Sequence, residues 1–243
     1  MHLNDITLVI AIDARHVEEL SYTWPTWMKF KPELRNIKKI VIYDKTQIDP
    51  AYISLFNGIE VKFVPWDMEG VSQREKMLTS LVKVPTTVDT PWYLKLDADT
   101  IAVKPGKFIL DEWFHPKHNE LPAYIAHGWP YSKPSDVLKR LDDWADNTEL
   151  NINKRLDIPF DPASERVYSK RITSWCYFGN TEWTAKMSRI CGDRLPVPSQ
   201  DTFMYYCAAR TGAHTVRTNM KRFGWEHLRL RSLRKKSEEL LRD

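Results

Sequence analysis

The chain has 243 residues, of which 42% are hydrophobic and 28% charged, a balance that suits a folded globular protein and excludes a disordered or collagen-like one. The net charge of +4 is mostly local: residues 229–243 hold six Lys or Arg against three acids. No basic stripe interleaved with aromatics runs through the rest, so nucleic acid is not an expected partner.

Residues 6–12 form the longest early apolar run, too short to span a bilayer and without the basic start or cleavage pattern of a signal peptide, which predicts a cytoplasmic protein. The same run reads as a strand buried on both faces, and Val17, Leu20, Trp24, Trp27 and Met28 follow at helical spacing. Residues 39–43 (KIVIY) predict a second buried strand ending at Asp44, and residues 61–64 (VKFV) a third. A helix is expected between Val71 and Val84, with Met77, Leu78, Leu81 and Val82 on one face. Strands alternating with helices predict an α/β fold with a mostly parallel sheet.

The next strand, in WYLKLDADT, ends in two carboxylates spaced by one residue, Asp97 and Asp99. Residues i and i+2 of a strand face one side, so both carboxylates could address one crevice. Oxygen ligands of this kind suit Mg2+ or Mn2+, ions that prefer carboxylates plus substrate phosphates to a closed protein cage. Open α/β sheets bind ligands at the carboxyl ends of their strands, and a nucleoside diphosphate is therefore the expected ligand.

The second half is less regular. Residues 123–126 predict a strand, and Ser135 an N-cap for a helix through Val137, Leu138, Leu141 and Trp144. Residues 147–171 are polar and Pro-punctuated and read as a surface excursion. Residues 171–180 predict a strand, Gln200-Asp201 a helix start with Phe203, Met204, Cys207 and Ala208 packed, and residues 213–217 a late strand. Residues 228–243 form a basic amphipathic helix with Leu230, Leu233, Leu240 and Leu241, expected either to lie peripherally on an anionic membrane or to pack on the protein itself. Cys176, Cys191 and Cys207 are odd in number, widely spaced and without a C-x-x-C pattern, which reads as buried free thiols.

Taken in order, LVIAID, VIYD, SQREKM, LKLDADT, WCYFGN, SQDTFMYYCAARTG and FGWEH resemble the GT-A glycosyltransferases, nucleotide-sugar-dependent enzymes with a Rossmann-like sheet, and look most like their inverting, family 2-like branch. The resemblance implies a catalytic domain over residues 1–228, with a nucleotide-binding half over about 1–105 and an acceptor half over about 106–228, followed by the helix of residues 229–243. It implies that Ala11, Ile12, Asp13 and Asp44 receive the nucleoside, that Asp99 ligates Mn2+ or Mg2+ directly, and that Asp97-Ala98 serves the ribose or a metal-bound water. It gives His227 as a third metal ligand, with His214 and His127 as competitors, Asp201 as the general base, and Gly179 and Asn180 as part of the sugar pocket. Gln200 departs from the pattern, since the first of two acids usually stands there.

Arg74 and Lys76, near the start of their helix, would meet the diphosphate. Trp129, Trp175 and Trp225 are candidates for stacking on a sugar ring, although core packing is the commoner use of such residues. The implied reaction moves a sugar from a UDP- or GDP-sugar to a glycan, lipid-linked or protein hydroxyl acceptor with inversion. Three alternatives stand: a retaining enzyme of the same fold, a sugar nucleotidyltransferase, and a non-catalytic carbohydrate-binding or scaffold protein. The nucleotidyltransferase expects a glycine-rich loop after the first strand, whereas Asp13-Ala14-Arg15-His16-Val17 has no glycine.

Overall fold

Seven successive residues, Ile6–Ile12 (β1), are all buried, a pattern that only a strand covered on both faces can show. The computed structural model describes residues 2–66, 83, 87–107, 114, 123–130, 170–191, 204, 207–208, 213 and 215–242. The expected helices at residues 71–84, 135–144 and 200–212 and most of the 147–171 excursion lie outside these, although Met204, Cys207 and Ala208 are buried as expected.

After β1 the chain enters helix α1 (Ala14–Phe30), whose N-cap is Asp13: a carboxylate oxygen accepts the His16 backbone N–H at 3.0 Å. Strands β2 (Lys38–Tyr43), β3 (Lys62–Pro65) and β4 (Trp92–Leu96) follow, then β5 (Thr100–Ala102), β6 (Tyr124–Pro130) and β7 (Lys170–Asn180). Helix α2 (Thr181–Cys191), strands β8 (Thr215–Thr218) and β9 (Trp225–His227) and helix α3 (Leu230–Leu241) complete the described elements. The larger sheet has seven strands in the order β3-β2-β1-β4-β7-β6-β8, and β5 pairs with β9 in a separate ribbon. All neighbours in the large sheet are parallel except β7, which runs antiparallel to both β4 and β6. This is the mixed, mostly parallel α/β sheet that the sequence predicts.

Apolar spacing on α1 turns Leu20, Trp24 and Trp27 into the core, where Trp24 meets Phe56 edge-on at 5.0 Å and Trp27 meets Trp225 at 6.3 Å. Trp225 is thus core. Cys176 and Cys207 are buried free thiols. Lys31, fully buried just beyond α1, donates to the carbonyls of Gly106 (2.9 Å) and Phe223 (2.6 Å) and lies over the Trp225 ring. One side chain thereby ties α1 to the segments after β5 and before β9, and burial pulls its amine down to about 8.

The C-terminal helix α3 packs on α1. Leu233 and Ser237 are buried, Ser237 Oγ donates to the Tyr22 carbonyl (2.7 Å), and Lys29 Nζ donates to the Leu240 carbonyl (2.8 Å). Of the two expected placements, packing on the protein itself is observed: α1 covers Leu233, while Leu230 and Leu240 are half-buried and Leu241 is exposed. No helix among the described residues is long and apolar enough to cross a membrane.

Two elements are absent from the sequence reading. Helix α2 begins at Asn180, whose side-chain oxygen accepts the Trp183 N–H at 2.9 Å, and the β5/β9 ribbon joins segments too short to carry a periodic signal. The residue before the cap, Gly179, is backed by the Tyr93 ring, and a Cβ built there would lie 2.2 Å from Tyr93 Cζ. Tyr93 is fully buried between Tyr177 and a hydrogen bond to Thr184, so it cannot swing aside. Gly179→Ala should lose about 1–3 kcal/mol of stability through overpacking, read as a lower midpoint in urea unfolding; an unchanged midpoint would show that Tyr93 yields.

Candidate functional site

β4 ends at Leu96 and the chain turns at once: the Asp97 carbonyl accepts the Thr100 N–H at 3.0 Å, so Ala98 and Asp99 form the arc from which β5 departs. The expectation that strand alternation aims both carboxylates is corrected here, because the turn does so. One oxygen each of Asp97 and Asp99 and a ring nitrogen of His227 all lie within 4.8 Å of one another, the one such group of metal-binding side chains among the described residues.

Helix α1 holds this arc by its backbone. Thr23 Oγ1 donates to the Ala98 carbonyl (2.7 Å), Trp27 Nε1 to the Thr100 carbonyl (2.6 Å), and Thr26 Oγ1 accepts the Ala102 N–H (3.2 Å). On the other side the Asp97 N–H donates to the Trp175 carbonyl at 2.9 Å. His227 arrives through the β5/β9 register, which pairs it with Thr100, and the Leu228 N–H closes on the Asp99 carbonyl at 3.2 Å. Its Nε2 stands 3.1 Å from an Asp99 oxygen, and that hydrogen bond raises the His227 pKa against the opposing effect of burial. Trp175 stacks on the imidazole with ring planes 11° apart and so orients the ring.

Lys95 is the functional residue that motif reading passes over. It lies two positions before Asp97, and its buried Nζ donates to the Asp97 carboxylate and to the Ser174 carbonyl (2.8 Å). The signal was a lone lysine inside an apolar strand run, on the same face as Asp97. Glu19 on α1 is the second. Its pKa is pushed up to about 7, first by burial and then by the negative charge of Asp99, with Asp13 and Asp97 adding and Arg15 opposing.

Register places the other expected residues. Ile10 pairs with Leu96 and Ile12 with Tyr43, so Asp13, Asp44 and the Asp97 turn share the carboxyl edge of three adjacent strands. Ala11, Ile12 and Ala98 bury their side chains there. Asp13 caps α1, while the buried Asp44 carboxylate accepts from Thr46 N–H (2.9 Å), Thr46 Oγ1 (2.6 Å) and Gln47 Nε2 (3.2 Å). Gln47 also accepts the Ala14 N–H at 3.3 Å, tying this turn to the start of α1.

Gly179 and Asn180 are not brought to the crevice. Asn180 pairs with Trp92, at the amino end of β4, whereas Trp175, in the middle of β7, lies beside Asp97. Because β7 runs antiparallel to β4, its carboxyl end falls at the opposite edge of the sheet from the crevice. Arg74, Lys76, Asp201, His214 and the side chains of His127 and Trp129 lie outside the described residues.

Two carboxylates and an imidazole fit Mn2+ well and Mg2+ through the oxygens, with Asp99 and His227 exchanging their mutual hydrogen bond for the ion. Lys95 pairs with Asp97, and His227 with Asp99.

No protein-family model matches the chain, and no curated protein sequence does. Solved structures do. Core-mannan synthase A from Aspergillus fumigatus, in an Mn/GDP form, superposes with a TM-score of 0.51 at 10% identity over 87% of this chain and 72% of its own. An active-site mutant of LgtC gives 0.50 at 11% identity over 86% and 72%, and the bifunctional glycosyltransferase WbbM gives 0.50 at 10% over 97% of this chain and 44% of its own. At such identities the likeness establishes the fold, and the fold is that of the GT-A glycosyltransferases.

The buried Glu19 makes a prediction. Its folded pKa of about 7 exceeds the ordinary 4.5, so the folded chain holds the proton more tightly than the unfolded one, and metal-free stability falls as pH rises between those values. Glu19→Gln should flatten that slope and gain on the order of 1–3 kcal/mol above pH ~7, seen as melting several degrees higher. A slope identical to that of the unaltered chain would overturn this account.

Proposed function

We propose that this protein is a metal-dependent glycosyltransferase that moves a sugar from a nucleoside-diphosphate-sugar to a hydroxyl acceptor with inversion at the anomeric carbon. The observation that carries the reading is the meeting of Asp97, Asp99 and His227 at the carboxyl edge of a GT-A sheet, where α/β folds seat nucleotides. The Mn/GDP form of the Aspergillus enzyme favours the same metal and nucleotide class here.

In this reading Asp99 and His227 hold Mn2+ or Mg2+, with Asp97 beside them. The bound cation supplies positive charge against the diphosphate, which leaves with the electron pair of the broken anomeric bond. Lys95 holds the Asp97 carboxylate in place, and Trp175 fixes the His227 ring. The nucleoside of a UDP- or GDP-sugar lies along the ends of β1 and β2, near Asp13 and Asp44, and the positive side chains of Arg74 and Lys76 meet its phosphates. Asp201 takes the proton of the attacking hydroxyl as the new bond forms opposite the leaving group. The acceptor is a glycan, lipid-linked or protein hydroxyl.

Titration calorimetry and melting curves with UDP or GDP provide the test. Binding that requires Mn2+ and disappears in Asp99→Ala supports the donor site; absence of nucleotide binding under every metal would sink the transferase reading. Asp201→Asn should lower turnover roughly 10²–10⁴-fold while leaving donor binding intact. Near-full activity in that variant, with retained configuration in the product by NMR, would replace inversion with retention.

A further inference from the structure

The second turn of α1 carries a carboxylate that the fold itself does not require. Glu19 is 6% exposed, and its Oε2 is buried without a hydrogen-bond partner among the described residues. The nearest basic nitrogens among the described residues, Arg15 Nε and His16 Nε2, stand 3.9 Å from its two oxygens, beyond hydrogen-bonding distance. Burial of an unpaired carboxylate is costly, and a leucine or glutamine at this position would avoid the cost.

Its place on α1 indicates what it faces. Thr23 lies one turn further on, on the same side of the helix, and donates to the Ala98 carbonyl at 2.7 Å, so the helix face bearing Glu19 runs along the acidic arc. Asp99 exerts the largest charge effect on Glu19, followed by Arg15, Asp13 and Asp97. Glu19 is nonetheless outside the set of donor atoms that meet within 4.8 Å, which comprises Asp97, Asp99 and His227 alone among the described residues. It stands near the site without being one of its ligands.

Mn2+ and Mg2+ retain several water molecules when few protein ligands reach them, and those waters donate strongly to nearby carboxylates. We propose that Glu19 is a positioning residue for the cation held by Asp97, Asp99 and His227, its unpartnered Oε2 accepting a hydrogen bond from a metal-bound water. The inference rests on the metal reading above and adds a residue to it. A fourth negative charge also raises the attraction of the crevice for a divalent ion, and the ion in turn relieves the repulsion between Glu19 and Asp99.

The test is Mn2+ alone, titrated calorimetrically into the full chain as the unaltered protein and as Glu19→Gln, Glu19→Leu and Asp99→Ala, with a melting curve of each without metal. Loss of an outer-shell partner costs about 10–100-fold in metal affinity. Glu19→Gln should therefore bind Mn2+ about tenfold more weakly while its metal-free melting temperature holds or rises, and Glu19→Leu should weaken binding at least as much. A purely structural glutamate would give the reverse, a lower melting temperature and an unaltered Mn2+ affinity, and that result overturns the proposal. Should Glu19→Leu fail to fold, the near-isosteric Glu19→Gln decides. If both Glu19 variants bind like the unaltered protein and only Asp99→Ala fails, the inference about Glu19 falls and the metal site stands. If the unaltered protein binds no Mn2+, the metal reading falls and this inference with it.

Discussion

The line of hydrogen bonds between α1 and residues 98–102 is the constraint on which the rest of the crevice depends. Two threonines and a tryptophan at buried positions of the helix supply donors and an acceptor for three backbone groups of the Asp97–Ala102 segment. Each such bond adds only about 1 kcal/mol net, but a buried backbone group left unmatched would cost more, so the segment has one favourable position against the helix. Fixing the backbone of a tight turn also fixes where its side chains leave. Asp97 and Asp99 are held together before any ligand arrives.

Charge makes that arrangement expensive unless it is answered. Asp13, Asp97, Asp99 and Glu19 influence one another around a single edge of the sheet. Lys95 answers Asp97 from within the strand, His227 answers Asp99 from the ribbon, and the N–H groups at the start of α1 answer Asp13. Of these four carboxylates, Glu19 is the one that keeps a buried oxygen without a donor among the described residues. Negative charge that is incompletely answered in this way favours a cation beside it.

The ribbon of β5 and β9 completes the site from a distance. His227 is far from Asp99 in sequence, and Lys31 stitches α1 to both strands of its ribbon, at the end where Ala102 meets Trp225, by donating to two carbonyls while lying over Trp225. Trp175, in the middle of β7, then stacks on the imidazole. Core packing and ligand orientation are therefore the work of the same aromatic residues, which accounts for part of the heavy aromatic content.

Periodicity determined much of this protein. The buried runs of β1, β2 and β4, the amphipathic spacing of α1 and α3, and the Asp97/Asp99 pair after an apolar strand all follow from local pattern, because side-chain alternation and helical spacing are properties of the chain itself. Asp13 and Asp44 were also legible, since each stands at the end of such a run, whereas His227 came only through the family resemblance. Tertiary structure decided the remainder. The direction of β7 is set by its pairing with β4, which carries Gly179 and Asn180 away from the crevice and brings Trp175 to it. The roles of Lys95 and Glu19 come from burial beside particular charges, and the function of α3 from the apolar surface that α1 offers it. None of these has a local signal, because register, burial and charge proximity exist only once distant segments meet.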